Sequence, residues 1–181
     1  MYTIIGISGK IAAGKDTVVD EILLNYPNYE HLKFAYNVKH VVSILTGTTI
    51  EDNHSREGKA MIPPGFDKSL GTYQQIIGEG LRNLVGPNVW ITPVIQHPAA
   101  LKIISDVRYP NEVTEIEKAG GIVLRIHRPL KERLEALKGD TRNLEHESET
   151  ALDNYPFKHV IENIGTIEEL HAAVREIITT R

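Results

Sequence analysis

The sequence predicts an α/β fold of three layers, a five-stranded parallel sheet between helices, and three observations predict it. Short apolar runs that read as buried strands alternate along the chain with segments of helical spacing, the pattern of strands joined by helical crossovers. A glycine-framed segment, Gly9-Lys10-Ile11-Ala12-Ala13-Gly14-Lys15-Asp16-Thr17, follows the first such run directly and opens a helix. No repeat, low-complexity tract or linker interrupts the alternation, and 181 residues with 41% apolar content suffice for one core, so a single domain over 1–181 is expected.

The elements follow in order. Residues 4–8 read as a buried strand, and Val18, Val19, Ile22 and Leu23 fall at helical spacing within 16–26. Further strands are expected over 31–34, 101–106, 122–127 and 158–162. Helices are expected over 37–45, 72–85, 110–119, 130–137 and 166–178, the last opening with Thr166 and Glu169 as a capping box. Residues 47–70 are polar, weakly periodic and contain Pro63-Pro64-Gly65, which suggests a mobile excursion on the substrate side or a plain surface loop.

The glycine-framed segment has the spacing of a phosphate-binding loop in its proper strand-loop-helix setting. Gly9 and Gly14 allow backbone conformations that aim successive amides at phosphate oxygens, and Lys15 is placed to reach the outer phosphates. Lys10, Ala12, Ala13, Gly14, Lys15, Asp16 and Thr17 are the candidate nucleotide contacts. Where such loops usually carry Ser or Thr for magnesium, this one has Asp16 with a hydroxyl following at Thr17. A carboxylate there can hold magnesium directly or through water. A glycine-rich turn with a helix-capping Asp is the plain alternative, but a cap needs neither glycine nor the lysine.

Composition narrows the function. A net charge of −4 and a pI near 6.1 leave no broad basic surface, so direct nucleic-acid binding is not expected. Without cysteine the chain forms no disulfide and has no thiolate nucleophile, and its eight histidines show no paired ligand spacing. No apolar run approaches the roughly 18 residues of a membrane span, and the chain enters its first strand without a basic leader, so a cytoplasmic protein without membrane association is expected.

In parallel sheets, ligands bind beyond the carboxyl ends of the strands. One strand ends with Asp106, followed by Arg108 and Glu112 around a helix start. Asp106 is suited to magnesium through water or to a substrate hydroxyl, Arg108 to a phosphate, and Glu112 to a base or sugar; a surface pair of Asp106 and Arg108 is the alternative. After the 122–127 strand come Arg128, Arg133 and Arg142, three arginines in fifteen residues, which suggests a lid over about 128–150 that neutralises charge on a transferring group. His146 and Ser148 are candidates to cap or latch it, and a solvated helix connection is the plain reading.

With these residues in place, the chain resembles the phage-type deoxynucleoside monophosphate kinases of the P-loop kinase group over nearly its whole length. The shared markers are Gly14-Lys15-Asp16-Thr17, Val38-Lys39 opening the second helix, Gln75-Ile76-Ile77-Gly78, Trp90, Asp106-Val107-Arg108 with Glu112, Arg128-Pro129, and Glu162-Asn163-Ile164-Gly165-Thr166. The resemblance implies a three-layer α/β/α P-loop kinase fold and transfer of the γ-phosphoryl of ATP to a deoxynucleoside monophosphate, with magnesium and without a covalent enzyme intermediate. It implies that residues from Ala12 to Thr17, with Asn163, hold ATP. Lys39, Gln75, Gly78, Trp90, Asp106, Arg108 and Glu112 would surround the monophosphate, and Lys15, Arg128 and Arg133, with Asp106, would act on the transferring group. Trp90 suits stacking on a base or packing in the core equally. Relatives often carry an arginine shortly before the glutamine matching Gln75; this chain has Leu70-Gly71-Thr72-Tyr73-Gln74 there, leaving Arg82, Lys68 or Arg56 as replacements. The relatives also suggest a homodimer, and phage origin would place the protein in the host cytoplasm. Animal-type phosphomevalonate kinase shares the Gly-Lys-Asp loop, the Asp-x-Arg strand end and the Asn-x-Gly segment, and is the runner-up. A non-catalytic nucleotide-gated switch read out through 47–70 is the third reading.

Overall fold

The computed structural model describes residues 2–137 and 147–180. In chain order the elements are β1 (Ile4–Ser8), α1 (Lys15–Asn25), β2 (Glu30–Leu32), α2 (Phe34–Thr46), α3 (Arg56–Ala60), α4 (Leu70–Leu84), α5 (Thr92–Ile95), β3 (Lys102–Val107), α6 (Pro110–Lys118), β4 (Ile122–His127), α7 (Leu130–Ala136), α8 (Glu147–Thr150), β5 (His159–Glu162) and α9 (Ile167–Thr179). They fall into two compact units, one of Met1–Leu32 with His97–Arg181 and the other of Lys33–Gln96.

The larger unit is built on a sheet of order β2-β3-β1-β4-β5 in which every neighbouring pair is parallel. β1 lies at its centre, which is why Ile-Ile-Gly-Ile-Ser can be buried at every position. Strand side chains alternate between faces, so Ile5 and Ile7 share a face and Gly6 takes the other. Ile5 and Ile7 belong to the core formed with Val18, Val19 and Ile22 of α1 and Leu170, Val174 and Ile178 of α9. On the opposite face a Cβ at Gly6 would stand 2.8 Å from Ile116 Cδ1, which places α6 against that side. The three-layer α/β/α arrangement with a five-stranded parallel sheet is therefore as expected.

Because the strands are parallel, the segments after β1, β3, β4 and β5 all emerge at one edge of the sheet, the edge where such sheets bind ligands. β1 and β4 have the bounds expected from the sequence, and α9 is capped as expected: the Thr166 hydroxyl accepts from the Glu169 amide at 3.2 Å while Glu169 accepts from the Thr166 amide at 2.8 Å.

Within the smaller unit, α4 packs against α2 and α3. Two expectations change here. The second strand ends at Leu32 and α2 begins already at Phe34, so Val38-Lys39 lie in mid-helix rather than at its start; Val38 and Val42, one turn apart, are its buried stripe. The segment 47–70 contains α3, capped by Ser55, whose hydroxyl accepts from the Gly58 amide at 2.9 Å. Asn53, fully buried, organises this stretch: its Nδ2 donates to Ser43 Oγ, Thr48 Oγ1 and the Thr49 carbonyl at 3.0–3.1 Å, and its Oδ1 accepts from Gln74 Nε2 at 2.9 Å. A buried amide satisfied on both ends holds a loop without apolar periodicity, so the sequence pattern carries no trace of it. Among the described residues no helix is long and apolar enough to cross a membrane.

Candidate active site

The site grows out of the end of β1. Gly9 approaches β4 so closely that a Cβ would lie 2.8 Å from the Ile126 carbonyl oxygen. The loop then passes through Ala12, at a φ of 59°, and Gly14, at a φ of 99°, which caps α1 without a side-chain hydrogen bond. Left-handed backbone at a non-glycine residue is costly, and its presence at Ala12 shows how firmly the loop is held. A helix leaves its first amides without intrahelical carbonyl partners, and here these amides border a cleft of about 220 Å³ lined by Ala12, Ala13, Gly14, Lys15, Asp16, Thr17, Arg128 and Ala136. Positive helix end, loop amides and lysine are the chemistry that suits phosphate groups.

Lys15 folds back over the loop, its Nζ donating to the carbonyls of Gly9 at 2.8 Å and Lys10 at 2.9 Å. Burial, and then the neighbouring Arg108 and Arg125, bring its pKa down to about 8 against the pull of Glu149 and Asp16. Asp16 is exposed in the first turn of α1, beside Thr17. Among the described residues no three His, Cys, Asp or Glu side chains converge on a metal position. The carboxylate of Asp16 and the hydroxyl of Thr17 suit magnesium, which takes one or two protein oxygens and fills its shell with phosphates and water.

The loop is braced from several sides. Asn163, after β5, donates from Nδ2 to the Ala13 carbonyl at 2.9 Å, and a Cβ on Gly14 would meet that Nδ2 at 2.5 Å. Arg128 Nη1 reaches the Ala12 carbonyl at 3.4 Å. Arg133 is buried, with Nη1 3.4 Å from the Ile11 carbonyl and Nε 3.1 Å from the Arg128 carbonyl, so it ties α7 to the loop rather than pointing into the cleft. Lys10 turns to Asp153, at 2.7 Å, and its backbone carbonyl, not its ammonium, serves the loop.

Beyond β3, Asp106 is partly buried in the strand and Arg108 stands just past it. Glu112, expected to serve a base or sugar, is 4% exposed and turns its Oε2 to the amides of Arg108 at 2.6 Å and Tyr109 at 3.1 Å. It holds the β3 to α6 turn, as a glutamate at the third position of a helix does. Arg142 and His146 lie outside the described residues, as does 138–146 of the expected lid; its end, 147–150, is α8.

Two further side chains at the site carry no mark in the sequence. Glu149 accepts a hydrogen bond from the Ile11 amide at 2.8 Å and pairs with Arg108. Although burial opposes its ionisation, the Ile11 amide and the Arg108 guanidinium hold its carboxyl below the ordinary range. Arg125, projecting from β4, donates to Ser8 Oγ at 3.0 Å and stands 3.6 Å from Asp153. Glu149 sits in a charge-dense stretch and Arg125 inside a strand, so no local spacing marks either.

The smaller unit holds the remaining candidates. Trp90 is buried and its indole N–H donates to the Gly78 carbonyl at 2.9 Å, so core packing is the role the structure gives it. Gln75 is exposed on α4, whereas its neighbour Gln74 is bonded to Asn53; Arg82 lies two turns on from Gln75. Lys39 Nζ is 3.0 Å from His54 Nδ1, and the ring of Tyr36 lies 4.4 Å from that of His40 and 6.0 Å from that of His54. Burial, together with Lys39, Lys33 and Lys59, keeps the His54 pKa below its ordinary value.

No protein-family model and no curated protein matches the chain. Solved structures do. TT1252 from Thermus thermophilus aligns over 98% of this chain and 96% of its own at 18% identity with a TM-score of 0.54. The tunicamycin resistance protein of Deinococcus radiodurans aligns over 100% and 98% at 14% identity with a TM-score of 0.52. A shikimate kinase from Acinetobacter baumannii in complex with shikimate covers 98% and 92% at 16% identity with a TM-score of 0.49. At these identities the first two likenesses establish the fold, shared over nearly the full length of both chains.

Proposed function

We propose that the protein is an ATP-dependent phosphotransferase whose acceptor is a deoxynucleoside monophosphate. The observation that carries the reading is Lys15 over a strained, glycine-framed loop at the positive end of α1, with Arg108 and Arg128 on adjoining segments of the same sheet edge. Two guanidiniums beyond the loop lysine suit a reaction in which charge must be neutralised on both a donor and an acceptor phosphate.

In this reading the loop amides and Lys15 hold the β- and γ-phosphates of ATP, and Asn163 keeps the loop in shape. Asp16 and Thr17 would hold magnesium, which would supply positive charge to the transferring phosphates. An acceptor phosphate oxygen attacks the γ-phosphorus while the bond to the β–γ bridging oxygen breaks, giving the deoxynucleoside diphosphate and ADP. No general base is required, because the attacking phosphate oxygen is already ionised near neutral pH. Lys15 and Arg128 stabilise charge on the moving group, and Arg108 binds the acceptor phosphate. Arg133 acts through its hold on Ile11, and Asp106 is assigned to the acceptor or its magnesium. Lys39, Gln75, Gly78 and Arg82 of the smaller unit are assigned to the acceptor nucleoside or its phosphate, with Trp90 supporting Gly78.

The test is ADP formation from magnesium-ATP with each common deoxynucleoside and ribonucleoside monophosphate and with phosphomevalonate as separate acceptors, with the phosphorylated product identified by phosphorus NMR. Deoxynucleoside diphosphate formation is expected. Turnover of phosphomevalonate alone moves the assignment to that class of kinase, and nucleotide binding without any acceptor-stimulated turnover moves it to a switch.

A further inference from the structure

Glu149, in the short helix α8, makes contacts that the proposed reaction does not use. Its side chain is 7% exposed; Oε2 accepts from the Ile11 amide at 2.8 Å, and Oε1 pairs with Nη1 of Arg108. The same Nη1 lies 3.3 Å from the Ser148 carbonyl. Ile11 is buried and does not line the cleft, and Glu149 stands close enough to Lys15 to pull its pKa upward, so this carboxylate is held among the cations that border the loop. A single buried carboxylate thus connects the donor-phosphate loop to the guanidinium assigned to the acceptor phosphate.

The chemistry of the pair explains why such a link is useful. A guanidinium carries five donors in a rigid fork, and both hydrogen bonds of the Arg108 side chain to described residues fall on Nη1. Holding the fork at one nitrogen fixes the direction of the remaining edge. An arginine side chain is otherwise rich in rotamers, and a loose cation samples positions in which it cannot guide an in-line approach.

We propose that Glu149 is a positioning residue for phosphoryl transfer, fixing the Arg108 guanidinium relative to the phosphate-binding loop through the Ile11 amide. This rests on the kinase reading above. In this role Glu149 acts through Arg108, the residue it holds.

The experiment compares wild type, Glu149→Gln, Glu149→Asp, Arg108→Ala and the Glu149→Gln/Arg108→Ala double variant in acceptor kinetics, with ADP affinity measured by calorimetry on each. Glutamine keeps an oxygen for Ile11 but loses the charge, and aspartate keeps the charge but is one methylene too short to span both partners. A loss of about ten- to a hundredfold in kcat/KM for the acceptor is expected in either single variant, with ADP affinity within about threefold. In the Arg108→Ala background the Glu149→Gln change should cost less than about twofold more, because the residue it positions is gone. Unchanged kinetics in both Glu149 variants, a full multiplicative loss in the double variant, or a fall in ADP affinity that matches the fall in kcat/KM would each overturn the proposal. A wild-type protein that turns over no acceptor sinks the kinase reading and this role together, whereas an active wild type with indifferent Glu149 variants sinks this role alone.

Discussion

Raising the pH from 7 to 9 should weaken nucleotide binding through Lys15 alone, and the size of the effect follows from its surroundings. Burial, Arg108 and Arg125 bring the ligand-free ammonium to a pKa of about 8. The unliganded site is then roughly 90% protonated at pH 7 and roughly 10% at pH 9. A bound polyphosphate adds negative charge beside Nζ and returns the pKa toward the ordinary lysine value. Binding must therefore take up about 0.9 proton at pH 9 against about 0.1 at pH 7, and the apparent ADP affinity falls roughly tenfold across that range. Phosphate groups, with a second pKa of about 6, are fully ionised by pH 9 and add nothing there. Calorimetric titration with ADP in two buffers of different ionisation enthalpy reads the proton uptake directly, and Lys15→Met removes the group. The same shift has a stability consequence. Between about pH 8 and the ordinary lysine value the unfolded chain binds more protons than the folded one at this position, so the contribution of Lys15 to stability rises with pH in that window. Flat affinity from pH 7 to 9, or an uptake at pH 9 that survives in Lys15→Met, would refute the reasoning.

Three further outcomes are expected. Gly14→Ala places a Cβ 2.5 Å from Asn163 Nδ2 at a φ of 99°, so it should cost about 1–3 kcal/mol of stability and most ADP affinity; normal ADP binding in that variant would contradict the loop geometry. Arg108→Ala should raise the acceptor KM while leaving the ATP KM nearly as it was; the reverse pattern would exchange the two phosphate assignments. Glu21 is buried between α1 and α9, where it pairs with Arg175, stands 3.0 Å from His171 Nδ1 and accepts from Asn25 Nδ2 at 2.8 Å. Glu21→Ala should lower the urea midpoint, by about 1–3 kcal/mol in unfolding free energy, without altering turnover, and an unchanged midpoint would show the cluster to be idle.

What could be read in the sequence was what is local. The buried run 4–8, the nine-residue loop and the Thr166-Glu169 box carry their geometry in neighbouring residues, and the structure has each in place. The start of α2 was missed because Lys33 offers no capping side chain to announce it. α3, α5 and α8 are too short for periodicity to show them. The site is split in the same way. Lys15 is marked by its loop, but Glu149 meets Ile11 across 138 residues and Arg125 meets Ser8 across 117, pairings that exist only once the sheet has formed. Glu112 shows the converse: a carboxylate read from its place after a strand as a ligand contact also serves two backbone amides of its own turn, a use that its spacing does not announce.

The most direct test of phosphoryl transfer through this loop is a side-by-side comparison of wild type and Lys15→Ala with magnesium-ATP and the best deoxynucleotide acceptor, separating diphosphate product from inorganic phosphate. Wild type should yield diphosphate and ADP in equal amounts with little inorganic phosphate, while the variant, still folded, should lose about 10²-fold or more in rate. Equal turnover in the two proteins, or inorganic phosphate as the main product of wild type, would contradict the account.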